Sequence, residues 1–301
     1  MPEQQQRSNP YQAPSPAGPG GLPLRSPSDL PPAGPAHPQV RAYLDASRRR
    51  PGEPAPTVAL EGYWAIRTAM TAERALEAVF VHPPLAAGGD DRALIATLLR
   101  QGVPVLQVSE RLLRRLSRRD GPDGMAALAR WPTWRLEDVP VGPGALVLVT
   151  DRPERAGNLG TMIRTADGAG AAGVLVADPQ VRLSNQAVVK ASMGSVFTLP
   201  TVVTTAEGAQ AWLRRHRFQV VAATPDGDCD YREVRYRLPA AIVVGNERQG
   251  VSPAWRRAAD AACVIPMRGR ADSLNVGVAA ALLLYEARRP AADPGAEPTL
   301  D

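Results

Sequence analysis

Ile265–Arg288, IPMRGRADSLNVGVAAALLLYEAR, is the stretch on which the reading of the whole chain turns. It begins as the end of a strand, Cys263–Met267, passes through a short polar loop, Arg268–Ser273, and enters an apolar helix from about Leu274. Val276, Val278, Ala279, Ala280, Ala281, Leu282, Leu283 and Leu284 make that helix apolar almost all round, so it belongs inside a protein. Ser273 is placed as its N-cap, with a hydroxyl able to accept from an early helix N–H. Asn275 falls in the first turn, where backbone donors still lack partners. A strand, a glycine-containing loop and a capped helix can form a pocket floor rich in backbone donors. The same residues also suit a closing helix that merely completes a core.

Outward from this stretch, residues 145–290 alternate strand and helix. Short continuous apolar runs mark strands at Ala145–Thr150, Gly173–Ala177, Val220–Ala223, Ala240–Gly245 and Ala262–Met267, as in a parallel sheet covered on both faces. Helices fit Leu159–Ala169, Ala187–Ser192, Ala206–His216 and Pro253–Ala259. The fold class is therefore α/β, with a doubly wound C-terminal domain. Residues 134–144 read as a linker. Residues 39–133 read as a smaller α/β domain behind a basic lead-in, Arg41–Pro56. Its helices are expected at Glu61–Thr71, Arg92–Gln101 and Glu110–Leu116, and its strands at Ala78–His82, Val103–Val108 and Met125–Arg130. Arg111, Arg114, Arg115 and Arg118 share one face at helical spacing, either a phosphate-contacting stripe or a solvated surface. Residues 1–38 hold eleven prolines, too little apolar area to offset ordering, and are expected to be a disordered tail, as are 291–301.

The formal charge of +5 favours a polyanionic partner. Lys190 is the only lysine, and arginine suits phosphate because its planar fork binds two oxygens. Cys229 and Cys263 stand far apart in sequence, and no CxxC or histidine cluster offers a metal site. Reduced thiols and a cytoplasmic location are expected, with no membrane span and no secretory leader.

In such sheets ligands bind beyond the carboxyl ends of the strands. Four stretches fall there: Asp151–Ala166, Thr224–Asp228, Gly245–Ser252 and Met267–Asn275. Gly157-Asn158-Leu159-Gly160 lacks GxGxxG spacing, which weakens a nicotinamide-dependent oxidoreductase. Asn158-Leu159-Gly160 with Arg164-Thr165-Ala166, then Gly245-Asn246-Glu247 with Gly250-Val251-Ser252, then Ile265-Pro266-Met267 with Gly269 and Ser273-Leu274-Asn275-Val276 resemble, in order and spacing, the three motifs of the SpoU/TrmH family. These are S-adenosylmethionine-dependent RNA ribose 2′-O-methyltransferases of the SPOUT class. Leu60-Glu61-Gly62, Asp123-Gly124-Met125 and Ser192-Met193-Gly194-Ser195 add to the resemblance, whereas Ala156 stands where many relatives have proline.

The resemblance implies a C-terminal trefoil knot and a small N-terminal RNA-binding substrate domain. It implies S-adenosyl-L-methionine held by Gly245, Ile265 and Leu274, with Thr224 and Met267 nearby. Arg164 becomes the catalytic candidate at the 2′-hydroxyl, with Asn158 positioning it or the ribose. Glu247 would orient Arg164 or bind RNA through water, and Ser273 and Asn275 would close the site. Removing a proton from an arginine at neutral pH costs about 8 kcal/mol, so stabilising a developing alkoxide is the less demanding role. A homodimer without metal is implied. The extra domain favours 23S ribosomal RNA over transfer RNA, and a non-catalytic RNA-binding assembly factor is the alternative class.

Overall fold

The computed structural model describes residues 30–48, 56–72, 75–117 and 123–289. The expected tails over 1–29 and 291–301, and Arg118, lie outside them.

The first unit is built from α1 (Pro38–Arg48), β1 (Thr57–Glu61), α2 (Tyr63–Thr71), β2 (Leu76–Val81), α3 (Gly89–Arg100), β3 (Val105–Gln107), α4 (Glu110–Leu116) and β4 (Met125–Arg130). Its sheet runs β1-β4-β2-β3; β4 is antiparallel to both neighbours and β2 parallel to β3. Alternation along the strands sorts side chains to two faces. Val58, Leu60, Val79, Val81 and Ala127 meet Ile66 of α2 and Leu94, Ile95 and Leu98 of α3. Ala59, Phe80, Leu106 and Leu128 meet Val40 and Tyr43 of α1 and Leu112, Leu113 and Leu116 of α4. Tyr43 packs edge-on to Phe80 at 5.6 Å and donates its hydroxyl to the Leu116 carbonyl at 3.0 Å.

Several boundaries differ from the sequence reading: β1 takes Glu61, so the helix expected from that residue begins at Tyr63, and the last described strand ends at Val264, short of the strand expected to reach Met267. Residues 30–37 are not tail: Leu30 is buried, and Gln107 both donates to the Pro31 carbonyl (2.9 Å) and accepts from Ala33 N–H (2.8 Å). Proline can line a sheet edge because its carbonyl still accepts. The first part of the basic lead-in belongs to the helix α1, residues 49–55 lying outside those described; Pro38 occupies its first turn, where its missing N–H costs nothing, and Val40, Tyr43 and Leu44 are buried together.

The second unit contains β5 (Leu146–Asp151), α5 (Ala156–Gly168), β6 (Gly173–Ala177), α6 (Gln186–Ala191), β7 (Thr201–Thr204), α7 (Ala206–Arg215), β8 (Gln219–Ala223), β9 (Cys229–Asp230), β10 (Ala240–Val244), α8 (Pro253–Ala258), β11 (Ala261–Val264) and α9 (Val276–Arg288). The strands form one parallel sheet in the order β7-β6-β5-β10-β8-β11-β9. Leu146, Leu148, Val176 and Ile242 face α5, α6 and α9, while Val147, Val149, Leu175 and Val243 face Trp212 of α7 and Trp255 of α8. The edge strands β7 and β9 were not anticipated, being too short to give an apolar run, and neither was β1, the edge of the first sheet. β9 also brings Cys229 opposite Cys263 in register, although the two are distant in sequence.

Residues 134–144 are packed rather than a free linker. Trp134 Nε1 donates to the Val196 carbonyl at 3.0 Å, and Val139 is buried. The units share one core, with Trp131 of the first meeting Phe197 of the second at 6.1 Å. Gly194 has φ 88° and faces α2 so closely that a Cβ would lie 2.7 Å from Thr68 Cβ, which explains glycine there. The expectation that α9 is buried all round is corrected. Leu283, Leu284 and Ala280 are buried, but Val278 (48%) and Tyr285 (58%) are exposed. Composition reveals an apolar helix; it does not reveal which neighbour covers each side. No helix among the described residues is long and apolar enough to cross a membrane.

Candidate active site

From β5 the chain builds β6 and β7 to one side and β8 to β11 to the other, so the reversal of strand order falls between β5 and β10. A crevice opens at such a point beyond the strand ends. The loops after β5 and β10 meet there. Asp151, 1% exposed, accepts from Ser252 N–H at 2.7 Å. Asn246 Nδ2 donates to the Arg152 carbonyl at 2.8 Å, and Arg152 Nη1 donates to Gln249 Oε1 at 2.8 Å. Asn246 also accepts through Oδ1 from the N–H groups of Arg248 and Gln249. That turn needs Gly245: a Cβ there would collide with the backbone of Gly250 and Val251.

Glu247 leaves this turn toward the N-terminus of α5. It accepts from the N–H groups of Glu154 and Arg155, each at 3.3 Å, and from Asn158 Nδ2 at 2.9 Å. The N-cap Arg155 supplies no side-chain cap of its own, so a carboxylate from another loop serves there, where the helix dipole favours negative charge. Burial raises the Glu247 carboxyl, but the bonds from Asn158 and the nearby N–H groups outweigh it and hold the group below its ordinary value. Asn158 Oδ1 in turn accepts from Asn275 Nδ2 at 3.1 Å, and Asn275 Oδ1 accepts from Gly277 N–H at 2.9 Å. One line of hydrogen bonds thus joins Glu247, Asn158 and Asn275, one residue from each of the three motifs.

The expected roles shift accordingly. No hydrogen bond or ion pair joins Glu247 to Arg164. The Glu247 oxygens are taken by Asn158 and the start of α5. Arg164 is exposed on α5 and makes no hydrogen bond or ion pair with another described residue. Ser273 is not the cap of the closing helix: α9 begins at Val276 behind Asn275, while the Ser273 hydroxyl donates to Asp272 at 3.3 Å. Arg111, Arg114 and Arg115 are exposed on α4 in the other unit, outside this cluster, and Arg114 pairs with Glu110 at 2.7 Å. Asp151, Arg152 and Gln249 were given no role by the sequence, and Asn246 none beyond its place in the second motif, because their contacts cross about a hundred residues of chain.

The cofactor candidates surround the ends of β8, β10 and β11. Thr224 is buried; its N–H donates to the Cys263 carbonyl at 2.9 Å and its hydroxyl to Asp226, which Arg256 also binds. Gly227 presses onto the Cys263 backbone too closely for any side chain. Ile265 and Met267 are half-buried and Leu274 is 38% exposed. Among the described residues, no backbone group of residues 265–274 is engaged in a backbone hydrogen bond. Apolar side chains beside uncommitted N–H and C=O groups suit an adenosyl moiety, which needs a greasy slot and a few backbone partners.

Comparison with known proteins bears on both units. A model described as the SpoU rRNA Methylase family matches residues 145–285. One described as RNA 2'-O ribose methyltransferase substrate binding matches residues 59–133. The 23S rRNA (uridine(2479)-2'-O)-methyltransferase of Streptomyces viridochromogenes is 36% identical over 176 residues, covering 56% of this chain and 61% of that enzyme. The 23S rRNA (guanosine(2553)-2'-O)-methyltransferase RlmP of Bacillus subtilis is 31% identical over 198 residues, covering 66% of this chain and 78% of that enzyme. A crystal structure of an AdoMet-bound rRNA methyltransferase from Sinorhizobium meliloti superposes with a TM-score of 0.68 at 32% identity, over 77% of this chain and 87% of that one.

Proposed function

This chain belongs to the SpoU rRNA methylase family, and from that premise we propose that it transfers a methyl group from S-adenosylmethionine to a ribose 2′-hydroxyl of 23S ribosomal RNA in the cytoplasm. The observation that carries the proposal is the hydrogen-bond line Glu247–Asn158–Asn275, which joins the three motif loops beside the uncommitted backbone of residues 265–274.

In this reading Gly245, Ile265 and Leu274 hold the cofactor through backbone groups, with Thr224 and Met267 walling the slot. The bound cofactor supplies a methyl group on a positively charged sulfur. Arg164 touches the substrate: its uncommitted fork stabilises the charge that develops on the 2′-oxygen, or clamps the neighbouring phosphate. Acting as general base would demand about 8 kcal/mol of help from its surroundings. Asn158 and Glu247 are positioning residues that lock the start of α5, the helix that carries Arg164. Asn275 holds the third loop to them, and Ser273 lines its exposed rim. Holding the acceptor oxygen in line with the methyl group would supply the rest: the oxygen–carbon bond would form as the carbon–sulfur bond breaks to a neutral thioether, and the hydroxyl proton would pass to solvent water. Arg111, Arg114, Arg115 and Arg118 serve the RNA backbone. A trefoil knot and a homodimer complete the assembly. The exposed face of α9 supports the dimer: Val278 and Tyr285 lie on it, and Tyr285, Ala281 and Leu282 line a groove of about 530 Å³ there.

The test is methyl transfer from labelled cofactor to unmodified 23S ribosomal RNA and to bulk transfer RNA. Label at one ribose of 23S RNA is expected. Label confined to transfer RNA would move the substrate, and binding of cofactor without transfer to either would leave an RNA-binding assembly factor. Arg164→Ala is expected to lower turnover by roughly 100-fold or more with cofactor affinity nearly unchanged; full turnover would remove Arg164 from the chemistry.

A further inference from the structure

Of the tryptophans, α2 alone leaves one well exposed. Trp64 is 52% exposed, whereas Trp212 and Trp255 are buried and Trp131 and Trp134 half-buried. Its neighbourhood is ordered. The Tyr63 ring meets it edge-on at 5.2 Å, and the Arg67 guanidinium stands 5.3 Å from its centroid and 5.9 Å from that of Tyr63. Tyr63 is itself packed against the core. A rigid aromatic surface with a cation seated on it combines the two features by which proteins take unpaired RNA bases: a stacking face and a positive charge.

The placement fits the same occupant. Glu61, at the end of β1 and just before α2, accepts from Ser117 Oγ after α4 (3.1 Å) and from Gln186 Nε2 at the start of α6 (2.6 Å). One carboxylate therefore gathers the ends of three elements: the arginine-bearing α4, the aromatic-bearing α2 and α6 of the methyltransferase unit. α5 and α6 run in the same sense, since Gly160 abuts Val188 and Ala191 while Asp167 further along accepts from Ser195. The beginning of α2 therefore lies toward the end of α5 that carries Asn158.

We infer that Trp64, backed by Tyr63 and Arg67, stacks an unpaired base of the RNA substrate near the ribose to be methylated. This rests on the RNA methyltransferase reading above. It makes Trp64 a residue that selects single-stranded or looped RNA and leaves the chemical step alone.

The experiment compares the full chain with Trp64→Ala and Trp64→Phe, using unmodified 23S ribosomal RNA as the probe. Thermal melting first verifies folding, which an exposed side chain should not disturb. Trp64→Ala is expected to raise KM for RNA roughly 5- to 100-fold, with kcat at saturating RNA and cofactor affinity unchanged. Trp64→Phe is expected to keep most of the wild-type KM. Quenching of tryptophan emission on adding RNA should be smaller in Trp64→Phe than in the wild type. An unchanged KM in Trp64→Ala overturns the inference. Equal losses in both variants overturn stacking as the cause. A defect seen on ribosomal particles but not on free RNA assigns the surface to a protein instead. Should the wild type transfer no methyl group, filter binding of the same RNA by wild type and Trp64→Ala decides the inference separately from the proposed activity.

Discussion

Glu247 shows how one side chain can hold two loops at once, and it carries a pH signature. Its folded-state midpoint lies below the ordinary 4.5. The stability it contributes is therefore complete above about pH 4.5 and lost as pH falls through the lower folded midpoint. Carboxyl NMR titration should find that midpoint, and Glu247→Gln should remove the step. Cys263 has the opposite sign. Burial, then the neighbouring Cys229, push its thiol from 9.0 up to about 12. That contribution is complete below pH 9 and fades as pH rises toward 12. Iodoacetamide at pH 8 should modify Cys229 in the native protein and spare Cys263; equal labelling would contradict the packing described. Asn158, Glu247 and Asn275, which one line of hydrogen bonds joins, stand in the three spaced motifs; the motifs also name Arg164, which is exposed on α5 outside that line. The partners of these residues were not legible in the sequence. That Glu247 serves Asn158 rather than Arg164 depends on where α5 begins relative to a turn about ninety residues later.

Helix ends and helix contacts set the next level. Asn275, not Ser273, caps α9, so Asn275→Ala should cost about 1 kcal/mol from the cap alone and lower Tm by about 2–4 °C. Ser273→Ala should leave the melting curve where it is; calorimetry on the pair separates the two. Gly160 lets α5 lie against the Val188 carbonyl, and a methyl group there has nowhere to go. Gly160→Ala should destabilise by about 1–3 kcal/mol and tilt α5, which carries both Asn158 and Arg164. The long apolar runs that announce β5, β6 and β10 could be read directly, since burial on both faces demands them. β7 and β9 could not, because a strand of four or two residues at a sheet edge leaves no periodicity. The strand-like course of residues 31–33 was hidden by prolines, whose composition argues for disorder until a neighbouring edge accepts them.

The whole molecule presents two surfaces that sequence patterning describes but cannot assign. The uncovered side of α9 predicts association: Tyr285→Glu should shift sedimentation from dimer to monomer, and a wild-type monomer at assay concentration would contradict the homodimer. The arginine face of α4 predicts electrostatics: Arg111→Ala and Arg115→Ala should each reduce the salt dependence of RNA binding by about one unit of slope. One further consequence belongs to the order in which the chain is made. β5 finds its inner partner only in β10, Leu146 opposite Ala240, and the guanidinium of Arg288 on α9 reaches back to the carbonyls of Gly144, Ala169 and Gly170. During translation β5, β6 and β7 can assemble, yet one edge of β5 must wait, unpaired and apolar, for a strand not yet synthesised. Ribosome-stalled chains ending before residue 240 should be cut readily by protease around β5. Chains with α9 clear of the tunnel should resist, which would place the vulnerable moment of this protein's life in biosynthesis rather than in its working state.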